Sequence, residues 1–176
     1  MTAFHLQCAP EEIRPLAGRY EYGAGDDLPD QIAETVRPRG YFTKDEFVQL
    51  CEWKSPRTRS HAQSNSALYV EEVTRIALST PVERLRVEIL TLLDGVSWPT
   101  ASVILHFTHS DPYPILDYRA LWTLGVEKPP TYGFDLWWAY TQYCRELARE
   151  VGVSMRGLDR ALWQYSKENQ GVELED

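Results

Sequence analysis

Cysteine is scarce in this chain: Cys8, Cys51 and Cys144 are scattered through 176 residues and odd in number. That pattern argues against a disulfide framework and for a reducing compartment, so the expected location is the cytoplasm. The four histidines are equally dispersed. His106 and His109 come near Asp111, but a helix end followed by a loop is poor metal geometry, and neither a metal nor a cofactor is expected. Long apolar runs are missing too. None approaches the roughly 20 residues that span a bilayer, and the opening MTAFHLQCAPEEIRP lacks the layout of a signal peptide. There is no internal repeat, low-complexity tract, convincing two-residue alternation, Ser-His-Asp or Cys-His arrangement, or phosphate loop.

Positive charge is also short. Eighteen Lys and Arg face twenty-six Asp and Glu, a net charge of −8. Phosphate neutralisation dominates affinity for nucleic acid, so this balance counts against such a ligand unless the charge is segregated. It is segregated. Residues 11–34 hold seven acids and two bases, and residues 168–176 hold four acids and no base. Residues 53–61, WKSPRTRSH, hold three bases and no acid.

What remains is 43% hydrophobic with helical spacing throughout. Thr43-x-x-Glu46 ahead of Phe47, Val48, Leu50 and Cys51 is a capping box before an apolar face, predicting a helix to about Trp53. Asp30 begins a short helix to about Val36. Ser64 or Ser66 caps a helix over 67–79, whose Leu68, Val73, Ile76 and Ala77 mark its buried face. Pro81 restarts a helix to Leu93, with Leu85, Ile89, Leu92 and Leu93 inward. Ser55–Ser60 reads as a loop broken by Pro56. Phe134–Val151 is a helix stopped by Gly152, and a last one runs over 158–167 after Ser154. The expected fold is all-α, about seven helices in one compact body. Its expected divisions are an acidic, partly irregular extension over 1–41, a helical domain over 42–168, and an acidic tail over 169–176.

The stretch 92–125, LLDGVSWPTASVILHFTHSDPYPILDYRALWTLG, organises the rest. It predicts a helix end, a tight turn at Asp94–Ser97, a helix from Pro99 to His109, an extended crossing through 112–116, and a helix opening at Asp117. Gly95 suits the turn because it adopts positive φ without steric cost. Free N–H groups at the next helix start make an anion nest.

L-x-G-V-x-x-x-T-A followed by P-x-x-x-x-D resembles the helix-hairpin-helix DNA glycosylases of the HhH-GPD superfamily. The resemblance covers roughly residues 65–165 and includes the twenty-two positions from Gly95 to Asp117. It implies a DNA-glycosylase-like helical domain that binds DNA in base excision repair. Gly95, Val96, Ser97, Trp98 and Thr100 would then lie at the DNA backbone, and Asp117 would be the catalytic carboxylate. Three departures narrow it. Pro99 stands where lyase members carry lysine, Ser97 replaces the second hairpin glycine, and no four-cysteine cluster follows Cys144. The match is to the monofunctional branch, or to a member that has lost catalysis.

Each candidate also has a plainer reading. Asp117 is a favoured helix cap, and the turn at Gly95 is also an ordinary junction between two helices. Lys54, Arg57 and Arg59 suit phosphates, or form a solvated connection. Trp53, Tyr118, Arg119 and Trp122 are pocket candidates for a flipped base, although aromatics at helical spacing are more often core. Two functions follow: hydrolysis of an N-glycosidic bond with Asp117, or a non-catalytic helix-hairpin-helix module that binds nucleic acid or a protein partner. The acidic N-terminal segment is the expected site for such a partner.

Overall fold

A computed structural model describes residues 4–126 and 131–170. All regular structure in these residues is helical. Ten α-helices occur among them: α1 Ile13–Arg19, α2 Leu28–Arg39, α3 Lys44–Lys54, α4 Arg59–Ser64, α5 Ala67–Ser79, α6 Glu83–Leu90, α7 Trp98–Thr108, α8 Tyr118–Thr123, α9 Phe134–Val151 and α10 Met155–Asn169. Short 3-10 turns at Pro10–Glu12 and Pro56–Thr58 precede α1 and α4. None of these helices is long and apolar enough to cross a membrane. The eight helices expected individually are joined by α1 and α4, which occupy stretches expected to be irregular or loop.

The chain divides into two compact units, one of residues up to 22 with 113 onward, the other of residues 23–112. In the first, α10 is the hub, packed along α1 and against α8 and α9. Ile13 and Leu16 of α1 are buried, so this short helix, expected to belong to an irregular extension, contributes core. The Arg14 guanidinium donates to the carbonyl of Gly152 at 2.8 Å, satisfying an end of α9. Arg19 pairs with Glu168 at 2.8 Å. Trp137, Tyr113 and Tyr140 fill the centre, with Tyr113 stacked on Trp137 at 5.5 Å. The expected acidic tail lies outside the described residues from 171 onward.

In the second unit, α3 begins with the predicted capping box: the Thr43 hydroxyl accepts from the Glu46 N–H, and the Glu46 carboxylate accepts from the Thr43 N–H at 2.9 Å. Glu46 also pairs with Arg39, and its carboxyl is held below the usual range by hydrogen bonds from Thr35 and Thr43 and by that guanidinium, which together outweigh its partial burial. Phe47, Leu50 and Cys51 of α3 join Phe42, Ile104 and Phe107 in the core.

Two helices bury a face that overlaps only in part with the one expected: Val73 and Ala77 of α5, and Leu93 just after α6, are buried as expected, but the other positions differ. On α5 the buried residues are Val70, Val73, Thr74 and Ala77, whereas Leu68 is 70% exposed and Ile76 lies at the surface. On α6 they are Arg86, Val87 and Leu90, leaving Leu85 and Leu92 outside. Each helix carries two apolar stripes, and its polar residue decides between them. The Thr74 hydroxyl accepts from the buried Phe42 N–H at 3.0 Å. Arg86 donates to the Ala77 carbonyl at 3.1 Å, to the Thr80 carbonyl, and meets the His109 ring. Arg86 thereby supplies donors to carbonyls at the end of α5, which a leucine there would leave unpaired.

Candidate functional site

Within the second unit, the predicted turn lies between α6 and α7. After α6, Leu92, Leu93 and Val96 tighten the chain by donating to the carbonyls three residues back, each at 3.1 Å. Gly95 then reverses it with φ +87°. A Cβ on Gly95 would sit 2.9 Å from the Ala62 nitrogen and 3.2 Å from the Thr58 oxygen. The glycine is therefore needed twice, for its φ and because the backbone entering α4 crosses directly over it.

The next residue back is clamped. Asn65, only 5% exposed, accepts from the Asp94 N–H at 3.0 Å and donates to the Asp94 carbonyl at 2.9 Å. Its amide thus imitates a peptide group pairing with the turn. The Asp94 carboxylate accepts from Ser64 at 2.9 Å. Asp94 belongs to the predicted turn, whereas Asn65 carries no sequence expectation, although N-S-A-L ahead of an apolar run is a visible cap signal.

Helix α7 starts one residue earlier than predicted, at Trp98, with Ser97 as its N-cap and Pro99 at the second position. The first intrahelical bond runs from the Ala101 N–H to the Ser97 carbonyl at 2.8 Å. The Trp98 and Thr100 N–H groups precede it, so the helix start keeps its donor character. The side chains divide differently from the expected nest. Ser97 is exposed, Trp98 is half-buried, and Val96 and Thr100 are buried. Val96 and Thr100 therefore hold the two helices together, while Asp94 presents a negative charge at the turn, which opposes an anion.

The basic stretch of this unit is structured rather than a loop. Lys54 closes α3, Arg57 is exposed on the 3-10 turn, and Arg59 opens α4 paired with Glu52. The Thr58 hydroxyl donates to the Ser55 carbonyl at 2.8 Å and fixes this corner. A cleft of about 610 Å³ between α3 and α4 is bounded by Lys44, Asp45, Glu52, Arg59 and Gln63, a lining of mixed charge. Trp53 meets Phe107 edge-on at 5.7 Å, which makes it a cover over the core. Both ring nitrogens of His109 are engaged, Nδ1 by the Asp111 N–H at 2.9 Å and Nε2 by Arg86.

In the first unit, Tyr113–Leu116 run buried up to Asp117, and the Tyr140 hydroxyl donates to the Ile115 carbonyl at 2.9 Å. Asp117 is the N-cap of α8: its Oδ1 accepts from the Arg119 N–H at 2.8 Å. The carboxylate is half-buried. Its charge is felt by two phenols. The Tyr132 hydroxyl is pushed above its ordinary range by burial and then by Asp117. The wholly buried Tyr140 is pushed further, by burial first, with Asp117 among the smaller contributors. A carboxylate at a helix start, bordered by tyrosines and reachable from solvent, suits stabilising a cationic centre or orienting a water.

Three of the pocket candidates sit on α8 with it. Tyr118 is 38% exposed. Arg119 spreads its guanidinium over the Tyr118 ring at 5.3 Å and over the Trp163 ring at 5.5 Å. Trp122 stacks on Tyr165 at 6.1 Å and is held from behind by the Gln7 side chain on its carbonyl. Trp163, expected as core, and Tyr20 and Tyr22, expected to dock on the main body, join this surface, as does Arg160, for which there was no expectation. Their signal was Arg160 and Trp163 three residues apart on one face of α10, and the Tyr-Glu-Tyr at 20–22.

Comparison with models of protein families, with curated proteins and with solved structures finds no match.

Proposed function

We propose that this chain binds nucleic acid and hydrolyses an N-glycosidic bond in the manner of a monofunctional base-excision DNA glycosylase, with Asp117 as the catalytic carboxylate. The observation that carries this reading is the placement of Asp117. It is a half-exposed carboxylate fixed by the α8 backbone, with Tyr118 and Arg119 next in the chain. As a glycosidic bond opens, the sugar carbon becomes cationic, and a fixed carboxylate stabilises that charge or deprotonates the attacking water. Tyr118 offers a partly open ring for a displaced base, and Arg119 a cation for the backbone. Taken by itself, the other unit offers the α7 helix start as a candidate phosphate contact, against which the Asp94 carboxylate counts.

The test is base release. Duplex oligonucleotides carrying uracil, hypoxanthine, or an alkylated or oxidised purine are incubated with the wild type and with Asp117→Asn, and free base is measured. Release by the wild type that falls at least about a hundred-fold in the variant supports the assignment. Equal release by both proteins refutes it.

A second reading rests on a specific observation at the turn. The close crossing of Thr58–Ala62 over Gly95, the buried Val96 and Thr100, and the carboxylate of Asp94 all suit a packed helix junction. Under that reading the chain is a non-catalytic helix-hairpin-helix module for nucleic acid or a protein partner. Binding without base release from any of these duplexes is its signature.

A further inference from the structure

The first unit carries a continuous run of rings and guanidinium groups that extends beyond the Tyr118 and Arg119 of the catalytic reading. From the α8 start it passes from Tyr118 to Arg119 at 5.3 Å, then to Trp163 at 5.5 Å. Trp163 meets Tyr20 edge-on at 5.4 Å, and Tyr20 meets Tyr22 at 5.7 Å. Arg160 covers the outer end, 4.5 Å from the Tyr22 ring centre and 5.7 Å from that of Tyr20. Adjacent members are therefore spaced almost evenly. Tyr22 is 63% exposed and Tyr118 38%, so both ends of the run are open to a ligand.

The charge pattern here differs in part from that of the chain as a whole: Lys167, 5.4 Å from the Trp163 ring, pairs with Glu21 at 3.8 Å, but two arginines of the run do not pair in this way. Most of the other arginines engage carboxylates, such as Arg19 with Glu168, Arg59 with Glu52 and Arg156 with Asp159. Arg119 and Arg160 make no ion pair among the described residues; both rest on ring faces. The Arg160 Nε is buried without a partner, which leaves the rings as its support. In a protein with a net charge of −8, two cations left without carboxylates amid exposed aromatics are suited to an anionic ligand that also has flat faces. An acidic peptide would satisfy the cations and leave the rings idle. A duplex would meet the cations but keeps its base faces stacked inside. An unpaired strand offers both phosphates and open bases.

We infer that Tyr118, Arg119, Trp163, Tyr20, Arg160 and Tyr22 form a track for single-stranded nucleic acid that leads to Asp117. The inference rests on the nucleic-acid reading above and adds the strandedness of the ligand. Bases stack on the two exposed tyrosines, and Arg119 and Arg160 neutralise phosphates between them.

The experiment titrates the full chain into a labelled oligothymidylate of about a dozen nucleotides, and separately into a blunt duplex of the same length, over a range of salt. Two neutralised phosphates predict that log K for the single strand falls with log salt at a slope of about −1.4, and Arg160→Gln should reduce that slope by about 0.7. Arg160→Lys keeps the charge and should keep the slope. Tyr22→Ala lies at an exposed position, so folding is preserved; it should weaken single-strand binding roughly ten-fold at unchanged slope, with duplex binding unaffected. Single-strand binding that is indifferent to Tyr22→Ala and Arg160→Gln overturns the track and leaves the nucleic-acid reading standing. Binding to the duplex alone has the same consequence. No binding to either probe at low salt overturns both.

Discussion

Replacing Gly95 by alanine isolates how tightly the central turn is built into its unit. An L-residue held in the left-handed region costs roughly 1–2 kcal/mol. Gly25 supplies the matched control: it shares φ +87°, and a Cβ there meets nothing within 4 Å. Gly25→Ala should therefore show the conformational cost alone. At Gly95 the new Cβ lands 2.9 Å from the Ala62 nitrogen, 3.2 Å from the Thr58 oxygen and 3.3 Å from the His61 Cβ. Two of those atoms are backbone, which cannot rotate aside, so either α4 or the turn must shift. Such overpacking adds about 1–3 kcal/mol. Gly95→Ala should thus lose about 2–5 kcal/mol in all, and the gap between the two variants should be roughly 2–12 °C in Tm for a chain of this size. Thermal unfolding followed by far-ultraviolet circular dichroism measures both. Equal losses would refute the packing of the turn beneath Thr58–Ala62.

Other expectations follow from the same kind of accounting. Asn65→Asp keeps the acceptor for the Asp94 N–H but removes the donor to the Asp94 and Ala62 carbonyls and buries a charge beside them. It should destabilise by roughly 3–5 kcal/mol in urea unfolding, more than Asn65→Ala, and the reverse ranking would contradict the clamp. The Glu168 carboxyl is lowered from an ordinary 4.5 to about 2 by hydrogen bonds from Arg19 and then Gln164. A depressed carboxyl contributes stability above its ordinary value and loses it as pH falls towards 2. The advantage of wild type over Glu168→Gln should be below about 1 kcal/mol at neutral pH, since the pair is exposed, and should vanish near pH 2. A difference that grows on acidification would reverse the sign of the argument. Asparagine caps a helix nearly as well as aspartate, so Asp117→Asn should leave Tm almost unchanged while Asp117→Ala costs about 1 kcal/mol. Equal destabilisation by both would mean that the Asp117 charge itself holds the fold.

Much of the helical outline was legible because local signals govern it. Thr43-x-x-Glu46 set the start of α3, Ser66 that of α5, Asp117 that of α8, and Gly152 the end of α9 with φ +64°. What was not legible is which apolar stripe faces inward. Leu68 and Ile76, or Leu85 and Leu92, satisfy the period as well as the stripes that are buried. The choice follows from Thr74 and Arg86, whose partners lie 32 and 9 residues away in sequence. The basic stretch misled in a similar way: Pro56 broke α3 as expected, but a 3-10 turn and α4 follow where a loop was read. The motif placed a turn at Gly95 and a cap at Asp117. It carried no signal for Asn65 as a clamp, and although Tyr20 and Tyr22 were expected to dock on the main body, their place beside α10 depends on contacts between distant segments.

The most direct measurement is binding of the purified chain to a duplex containing an abasic-site mimic at about 50 and 200 mM salt. It is run beside Asp117→Asn and a variant neutralising Lys54, Arg57 and Arg59. The account predicts tight binding that weakens with salt, is retained by Asp117→Asn, and is reduced at every salt when the basic stretch is neutralised. No binding of the wild type at the lower salt would contradict it and leave the helix hairpin as a packing element of its unit.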